Sequence, residues 1–257
     1  MTVPMLEPRW AAPANVRAAF SLRSGGMSEA PWETLNLGAH VGDDPAAVIE
    51  NRRRLVNVLH LPSEPVWLNQ VHGREVLEVN EHSRLASDSR PRADALVTRS
   101  RGVVLAIQVA DCLPVLFSSR DGRVLGAAHA GWRGLTAGVL EATVAATAIP
   151  AADLVAWLGP SIGPAHFEVA DDVRNEALRT APQSHAGMRR ATEEAFQRNA
   201  KGRWQCDLPA LARQRLAALG IGQVDGGEWC TAADPVRFFS HRRDQLTGRM
   251  AALIWRP

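Results

Sequence analysis

Apolar residues in this chain follow two different rhythms. After Asp43-Asp44-Pro45, the residues Val48, Ile49, Leu55, Val56 and Leu59 recur at helical spacing until Leu61-Pro62 stops the run. An Asp at the N-cap accepts a backbone N–H, and a proline at the first helical position gives up no hydrogen bond. A second helix is expected from near Gly134 through Leu135, Val139, Leu140 and Val144, ending before Pro150. A third opens at Asp207 with Pro209 just inside, carries Leu208, Leu211, Leu216 and Leu219, and closes at Gly220.

The other rhythm is the short unbroken run. Val66-Trp67-Leu68, Ala95-Leu96-Val97, Val103 to Val109, Val115-Leu116-Phe117, Val124 to Ala128, Leu154 to Leu158 and Met250 to Trp255 are rich in Val, Leu, Ile, Ala and aromatic residues. Asp121-Gly122 between two of them is a hairpin signal. Runs without alternation imply strands buried on both faces, hence a sheet core covered by helices. Strands and helices mix without a regular βαβ alternation. The expected fold is therefore an α/β protein of the α+β layered kind, a mixed-sheet sandwich, in one domain over residues 1–257. The stretch from Ala181 to Arg203 is polar and reads as a surface excursion.

Composition narrows the class. The 257 residues carry a formal net charge of only +2, and Arg52-Arg53-Arg54 and Arg242-Arg243 are the densest basic spots, so a nucleic-acid footprint is not expected. No run of about 18 apolar residues predicts a membrane span, and the N-terminus lacks the apolar core of a signal peptide. Three cysteines, Cys112, Cys206 and Cys230, do not make a disulfide framework. Together these predict a soluble, cytoplasmic protein with reduced thiols.

Candidate chemistry gathers where apolar runs end. Trp67 to Val71 leads to His72, then Gly73; Leu105 to Asp111 leads to Cys112, then Leu113-Pro114; Leu125 to Ala128 leads to His129, then Ala130-Gly131. If neighbouring strands present these ends on one edge, two imidazoles and a thiolate converge. That set suits zinc and leaves a fourth position open, as catalytic sites do. The same residues also read as two satisfied turn histidines and a small buried cysteine. Cys112 has a further reading, a nucleophile activated by an imidazole base. Arg23-Ser24-Gly25-Gly26 and Gly131-Trp132-Arg133-Gly134 offer guanidinium and backbone N–H groups to an anion. Gly159 to Pro164 reads as a rigid loop that could wall a pocket. The remaining histidines, His40, His60, His82, His166, His185 and His241, share no context and read mostly as surface residues.

Seven segments in order carry a resemblance. They are Leu22 to Ser28, Asn69-Gln70-Val71-His72-Gly73, Ala93 to Thr98, Ala110-Asp111-Cys112-Leu113-Pro114, His129 to Gly134, Gly159 to Pro164, and Phe239 to Asp244 with Thr247 to Met250. The chain resembles the YfiH-type family, labelled both multicopper polyphenol oxidase (laccase-like) and zinc-dependent purine nucleoside phosphorylase with adenosine deaminase activity, and also peptidoglycan editing factor. The resemblance implies a metal held by His72, Cys112 and His129, and a layered sandwich related to cysteine-hydrolase-like enzymes. It implies purine nucleosides and phosphate as substrates: adenosine, inosine, guanosine and methylthioadenosine. With that reading, Cys112, His129, Asp111 and Gln70 are the catalytic candidates. Arg23, Ser24 and Arg133 are candidates to hold phosphate or ribose. Copper in place of zinc, and a Cys112 hydrolase of cell-wall precursors, are the alternatives. A multicopper oxidase would need many more clustered histidines, and no His-x-His pair occurs.

Overall fold

The computed structural model describes residues 3–83, 90–182 and 187–257. Its centre is two sheets. The first is antiparallel throughout, with the order β1 (Met5–Leu6), β2 (Arg17–Ser21), β13 (Met250–Trp255), β5 (Val104–Val109). The second is mixed, with the order β12 (Gln223–Gly226), β8 (Leu154–Leu158), β6 (Leu113–Ser119), β7 (Leu125–Ala130), β4 (Ala95–Thr98), β3 (Val76–Val79). Its two outer pairings are parallel and its inner ones antiparallel. A small third sheet orders β10 (Phe196–Arg198), β11 (Trp204–Cys206), β9 (Glu168–Val169).

The unbroken runs are buried on both faces because the layers are four deep. Leu105, Ile107 and Val109 of β5 face Leu96, Leu116 and Ala127 of the second sheet, with Phe20, Ile254 and Trp157 in the same layer. The intervening Val104 and Ala106 point the other way, onto Leu55 of helix α1 (Pro45–Leu59) and the buried Leu35 and Leu37. On the far side, Val115, Phe117 and Ala128 meet Val139, Leu140 and Val144 of α3 (Val139–Thr147) and Leu211 and Leu216 of α6 (Leu208–Leu219). Helix, sheet, sheet, helix is thus the order of layers, a mixed α/β sandwich as the sequence predicts.

Helix ends follow their local chemistry. Asp44 caps α1 through the Ala46 N–H, and Asp207 caps α6 through the Ala210 N–H, with Gly220 left-handed at its close. The expected helix at residues 134–150 is instead two: α2 (Trp132–Ala137) and α3, broken at Gly138, whose φ is 91°.

Two other expectations need correction. Val66-Trp67-Leu68 is not a ladder strand. Val66 bridges Leu105 at the free edge of the first sheet and Asn69 bridges Arg92 beside the second, so the segment passes from one sheet to the other. The polar stretch at 181–203 is only partly surface. Helix α5 (Met188–Glu194) is mostly exposed or half-buried, yet Ala195 and Phe196 are buried in the layer under α6, and β10 joins the third sheet. His185 lies outside the described residues. The helices α4 (Asp171–Arg179) and α7 (His241–Asp244) and a 3-10 turn at Ala151–Asp153 complete the described elements. Among the described residues no helix is long and apolar enough to cross a membrane.

A candidate metal centre where two sheets meet

Cys112 occupies the turn by which the chain leaves the first sheet at β5 and enters the second at β6. His129 stands in β7 opposite Pro114, and His72 in the turn that follows the segment crossing between the sheets. The three come together: one ligand atom from each lies within 4.8 Å of the others. Cys112 Sγ is 3.8 Å from His72 Nε2, and the two imidazole rings are 4.8 Å apart between centroids. Donors in a tetrahedral zinc site stand about 3.5 Å apart, so the spacing suits one shared ion. His129 is buried, Cys112 half-buried and His72 exposed, so the cluster reaches solvent at His72.

A buried carboxylate organises this cluster. Asp94, just before β4 and fully buried, accepts the consecutive N–H groups of Val71 (3.2 Å), His72 (2.9 Å) and Gly73 (2.7 Å). Three successive N–H groups wrapped on one carboxylate fix the turn that carries His72, which has φ of 60°. The same carboxylate accepts from His129 Nδ1 at 2.9 Å, and the Asp94 carbonyl accepts the His129 N–H at 2.7 Å. The Nδ1 bond fixes the tautomer and aims Nε2 at the cluster, the usual arrangement behind a metal-ligating histidine. Burial opposes ionisation of Asp94, but His129 and the N–H groups of Gly73 and Val71 outweigh it and hold the carboxyl below its ordinary range. Asp94 lies within one of the family motifs, but sequence alone assigns it no role. A charged residue between Ala93 and Ala95 at the entry of a buried strand was the available signal.

Asp111, a catalytic candidate from sequence, is placed to hold the turn that carries Cys112. Its φ is 91°, a conformation that costs about 1–3 kcal/mol for a residue other than glycine. Its carboxylate is turned to the C-terminal segment, accepting from Thr231 Oγ1 (2.6 Å), Ser240 Oγ (3.0 Å) and the Arg242 N–H (2.6 Å). Hydrogen bonds to a charged acceptor contribute about 1.5–3 kcal/mol each, so three offset the strain and lock the Cys112 turn. The Ile162 N–H donates to the Asp111 carbonyl at 2.9 Å, which sets the 159–164 loop against the same turn. Gln70 is likewise occupied: its amide donates to the Gln108 carbonyl and accepts the Gln108 N–H, both at 2.8 Å, pinning the His72 segment to β5.

The expected substrate residues scatter. Arg23 donates to the Glu33 and Pro235 carbonyls and lies over the Phe239 ring at 4.9 Å. Ser24 is exposed. Arg133 is exposed two residues beyond Gly131, its guanidinium 4.4 Å from the Trp132 ring centre.

The donor set fits a metal. Burial pushes the Cys112 thiol up, but the charges and hydrogen bonds of His129 and His72 outweigh it and bring the pKa down to about 6. His129 is pulled down by burial and raised more strongly by Cys112 and Asp94, to about 9. Both shifts favour the charged forms, each partner stabilising the other. Gly131 leaves the necessary room, since a Cβ there would stand 2.8 Å from Cys112 Sγ and 3.3 Å from His72 Cδ2. Among the described residues this is the one group of three His, Cys, Asp or Glu side chains placed to share an ion.

The layers and the cluster define a class: an α/β sandwich with two histidines and one cysteine placed to hold a metal at the junction of its sheets. The family model described as multi-copper polyphenol oxidoreductase laccase matches residues 17–257. A purine nucleoside phosphorylase of Pseudomonas aeruginosa is 50% identical over 251 residues, covering 97% of each chain. The purine nucleoside phosphorylase YfiH of Escherichia coli is 46% identical over 251 residues, covering 98% of each. Among solved structures, a Neisseria meningitidis protein of the DUF152 family superposes with a TM-score of 0.89 at 42% identity, over 98% of both chains. YlmD from Geobacillus stearothermophilus gives 0.87 at 33% identity, over 98% of this chain and 99% of that one. The chain belongs to the YfiH-type family.

Proposed function

We propose that this protein is a zinc-dependent purine nucleoside phosphorylase, acting on inosine, adenosine, guanosine and methylthioadenosine, with adenosine deaminase activity at the same centre. The observation that carries the reading is the His72–Cys112–His129 cluster with Asp94 behind it, in a chain whose relatives bear the phosphorylase name. His72 Nε2, Cys112 Sγ and His129 Nε2 would hold the ion. When bound it supplies Lewis acidity and a fixed positive charge at an open position.

In phosphorolysis a phosphate oxygen forms a bond to C1′ of the ribose and the C1′–N9 bond breaks. The electron pair leaves with the purine, which takes a proton at nitrogen, so inosine and phosphate give hypoxanthine and ribose 1-phosphate. In deamination water adds to C6 of adenosine and ammonia leaves. The protein's own part is placement. Asp94 aims His129 and fixes the His72 turn, Asp111 holds the Cys112 turn, and Gln70 ties the crossing segment to β5. Exposed Arg133 and Ser24 are assigned to contact the ribose from outside the cluster.

A second reading has a specific observation in its favour. Asp94 completes a Cys112–His129–Asp94 series with the connectivity of a thiol hydrolase, Asp94 accepting from His129 Nδ1 at 2.9 Å. That arrangement uses one imidazole, however, and leaves His72 without a task, whereas a metal uses both. The deciding experiment is to measure metal content and then incubate the protein with inosine, with and without phosphate, and with adenosine alone. Hypoxanthine only with phosphate supports phosphorolysis, and inosine from adenosine supports deamination. If the zinc-loaded protein forms neither, the purine reading fails.

A further inference from the structure

Phosphorolysis requires an anion site beside the metal, and the arginines expected from sequence to supply it are occupied or peripheral. Arg249 is neither. The register of β13 on β5 pairs Met250 with Val109, which sets Arg249 opposite Ala110, beside the Asp111-Cys112 turn. Its backbone is fixed on both sides: the N–H donates to Asn36 Oδ1 at 2.8 Å, and the carbonyl accepts the Leu37 N–H at 3.0 Å. The side chain runs through space that only a glycine at 38 leaves free. A Cβ on Gly38 would stand 2.7 Å from Arg249 Cγ and 3.0 Å from its Cβ.

The guanidinium is anchored by one nitrogen, NH1, which donates to the carbonyls of Thr247 (3.0 Å) and Gly248 (3.1 Å). Among the described residues, Nε and NH2 have no protein acceptor and no carboxylate forms an ion pair with this arginine. An arginine held by one nitrogen, with its other donors unused, is placed for a bidentate bond to an oxyanion. Thr247 itself has a hydroxyl that is buried without a partner.

The charges around the guanidinium are mixed, and the negative ones are already engaged. Burial pulls Arg249 below its ordinary pKa, and the negative groups that counter this are Cys112 and Asp111. Close by, His40, an exposed residue whose ring is partly desolvated, is driven down to about 4 by that desolvation and then by Arg249, Arg90, Arg52 and His129. Arg249 and His129 thus both act on the same histidine, which places Arg249 on the metal-centre side of this corner. Asp111 is already engaged by Thr231, Ser240 and Arg242, and Cys112 belongs to the metal cluster.

We propose that Arg249 is the phosphate-binding residue of this site, its position guaranteed by Gly38. The proposal rests on the phosphorylase reading and is tested so that the two can fail separately. Binding of inorganic phosphate to the purified protein is measured by calorimetry, and phosphate and inosine KM values are measured under turnover. Arg249→Gln should raise the phosphate Kd and KM by at least about tenfold, the loss expected for a charge-assisted pair, while the inosine KM and bound metal stay near wild type. Arg249→Lys should fall between, because a point charge keeps attraction without the fork. Gly38→Ala retains the arginine but displaces it and should weaken phosphate binding in the same direction. This variant decides the matter if Arg249→Gln does not fold. Acetate at equal ionic strength should not compete.

Unchanged phosphate affinity in Arg249→Gln, or in Gly38→Ala where the first variant is unfolded, overturns the proposal. So does a wild-type protein that binds no phosphate. Phosphate binding that depends on Arg249 in a protein that releases no hypoxanthine would support the anion site and sink the phosphorylase reading alone.

Discussion

Two corners of this protein place a cysteine sulfur beside a histidine nitrogen at nearly the same distance. Cys112 Sγ is 3.8 Å from His72 Nε2, and Cys230 Sγ is 3.6 Å from His166 Nδ1. Their surroundings differ. At Cys112 a second imidazole closes the cluster, a buried carboxylate fixes its tautomer, and three backbone N–H groups hold that carboxylate. At Cys230 the histidine is exposed, and among the described residues no side chain orients it from behind. The sulfur instead accepts the Gly163 N–H at 3.2 Å and helps seat the 159–164 loop. Proximity of thiol and imidazole is therefore common currency, while the hydrogen bonds behind the imidazole separate a chemical centre from a packing contact.

The largest effect should come from removing the imidazole that the second corner lacks. His72→Ala is expected to drop the bound metal from about one ion per chain to a trace, because two remaining ligands hold zinc poorly. Elemental analysis after dialysis gives the answer, and phosphorolysis of inosine should vanish with the metal. Retained turnover in metal-free His72→Ala would instead favour Cys112 as a nucleophile. Next in size is Asp94→Asn. Loss of the carboxylate behind a metal-ligating histidine typically costs about 10- to 100-fold in metal affinity, measurable by competition with a chromophoric chelator. An affinity equal to wild type would mean that His129 needs no orienting partner.

How far these features were legible in sequence follows from the range of the interactions. Caps at Asp44 and Asp207 act on N–H groups two or three residues away, so they were readable locally. The buried runs of β5, β6 and β13 were readable because both faces are covered. The three ligands were visible as chemistry at the ends of apolar runs, although His129 in fact lies within β7. Asp94 was not assigned a role, since its partners at 71–73 and 129 meet it only after the second sheet forms. Arg249 was hidden for the same reason: its place beside Cys112 depends on the β13–β5 register. Arg23 looked like an anion ligand, but its donors are used by Glu33 and Pro235. Ala195-Phe196, two apolar residues in a polar stretch, were too short a signal to reveal their burial.

A smaller effect concerns protons. In metal-free protein the Cys112 thiolate should persist down to pH of about 6, and alkylation of Cys112 followed by mass spectrometry should show that midpoint. A midpoint near the ordinary 9.0 would show that the imidazoles do not stabilise the thiolate. The consequence for stability is slight. The depressed thiol contributes stability above pH 9.0 that is lost as pH falls through about 6, whereas the raised His129 contributes below 6.5 what is lost as pH rises through about 9. Between 6.5 and 9 folded and unfolded chains bind the same number of protons, one on this pair, so its two linkages cancel. Thermal unfolding of metal-free protein should show no slope from this pair across that window.

The smallest effect is expected at the second corner. Cys230→Ser replaces the sulfur by a hydroxyl that can still accept the Gly163 N–H, although the shorter C–O bond loosens the contact. The site is half-buried, so the change should cost no more than about 1 kcal/mol, seen as a fall of a few degrees in Tm. Metal content and turnover should stay at wild-type values, because nothing in the Asp94 network reaches Cys230. The 159–164 loop does connect the two corners: Ser161 bridges Cys230 at one end, and the Ile162 N–H holds the Asp111 carbonyl at the other. Weaker metal binding in Cys230→Ser would mean that the Cys112 turn depends on how this loop is seated. The second corner would then be a support of the first, and their hydrogen-bond environments could no longer be treated as independent.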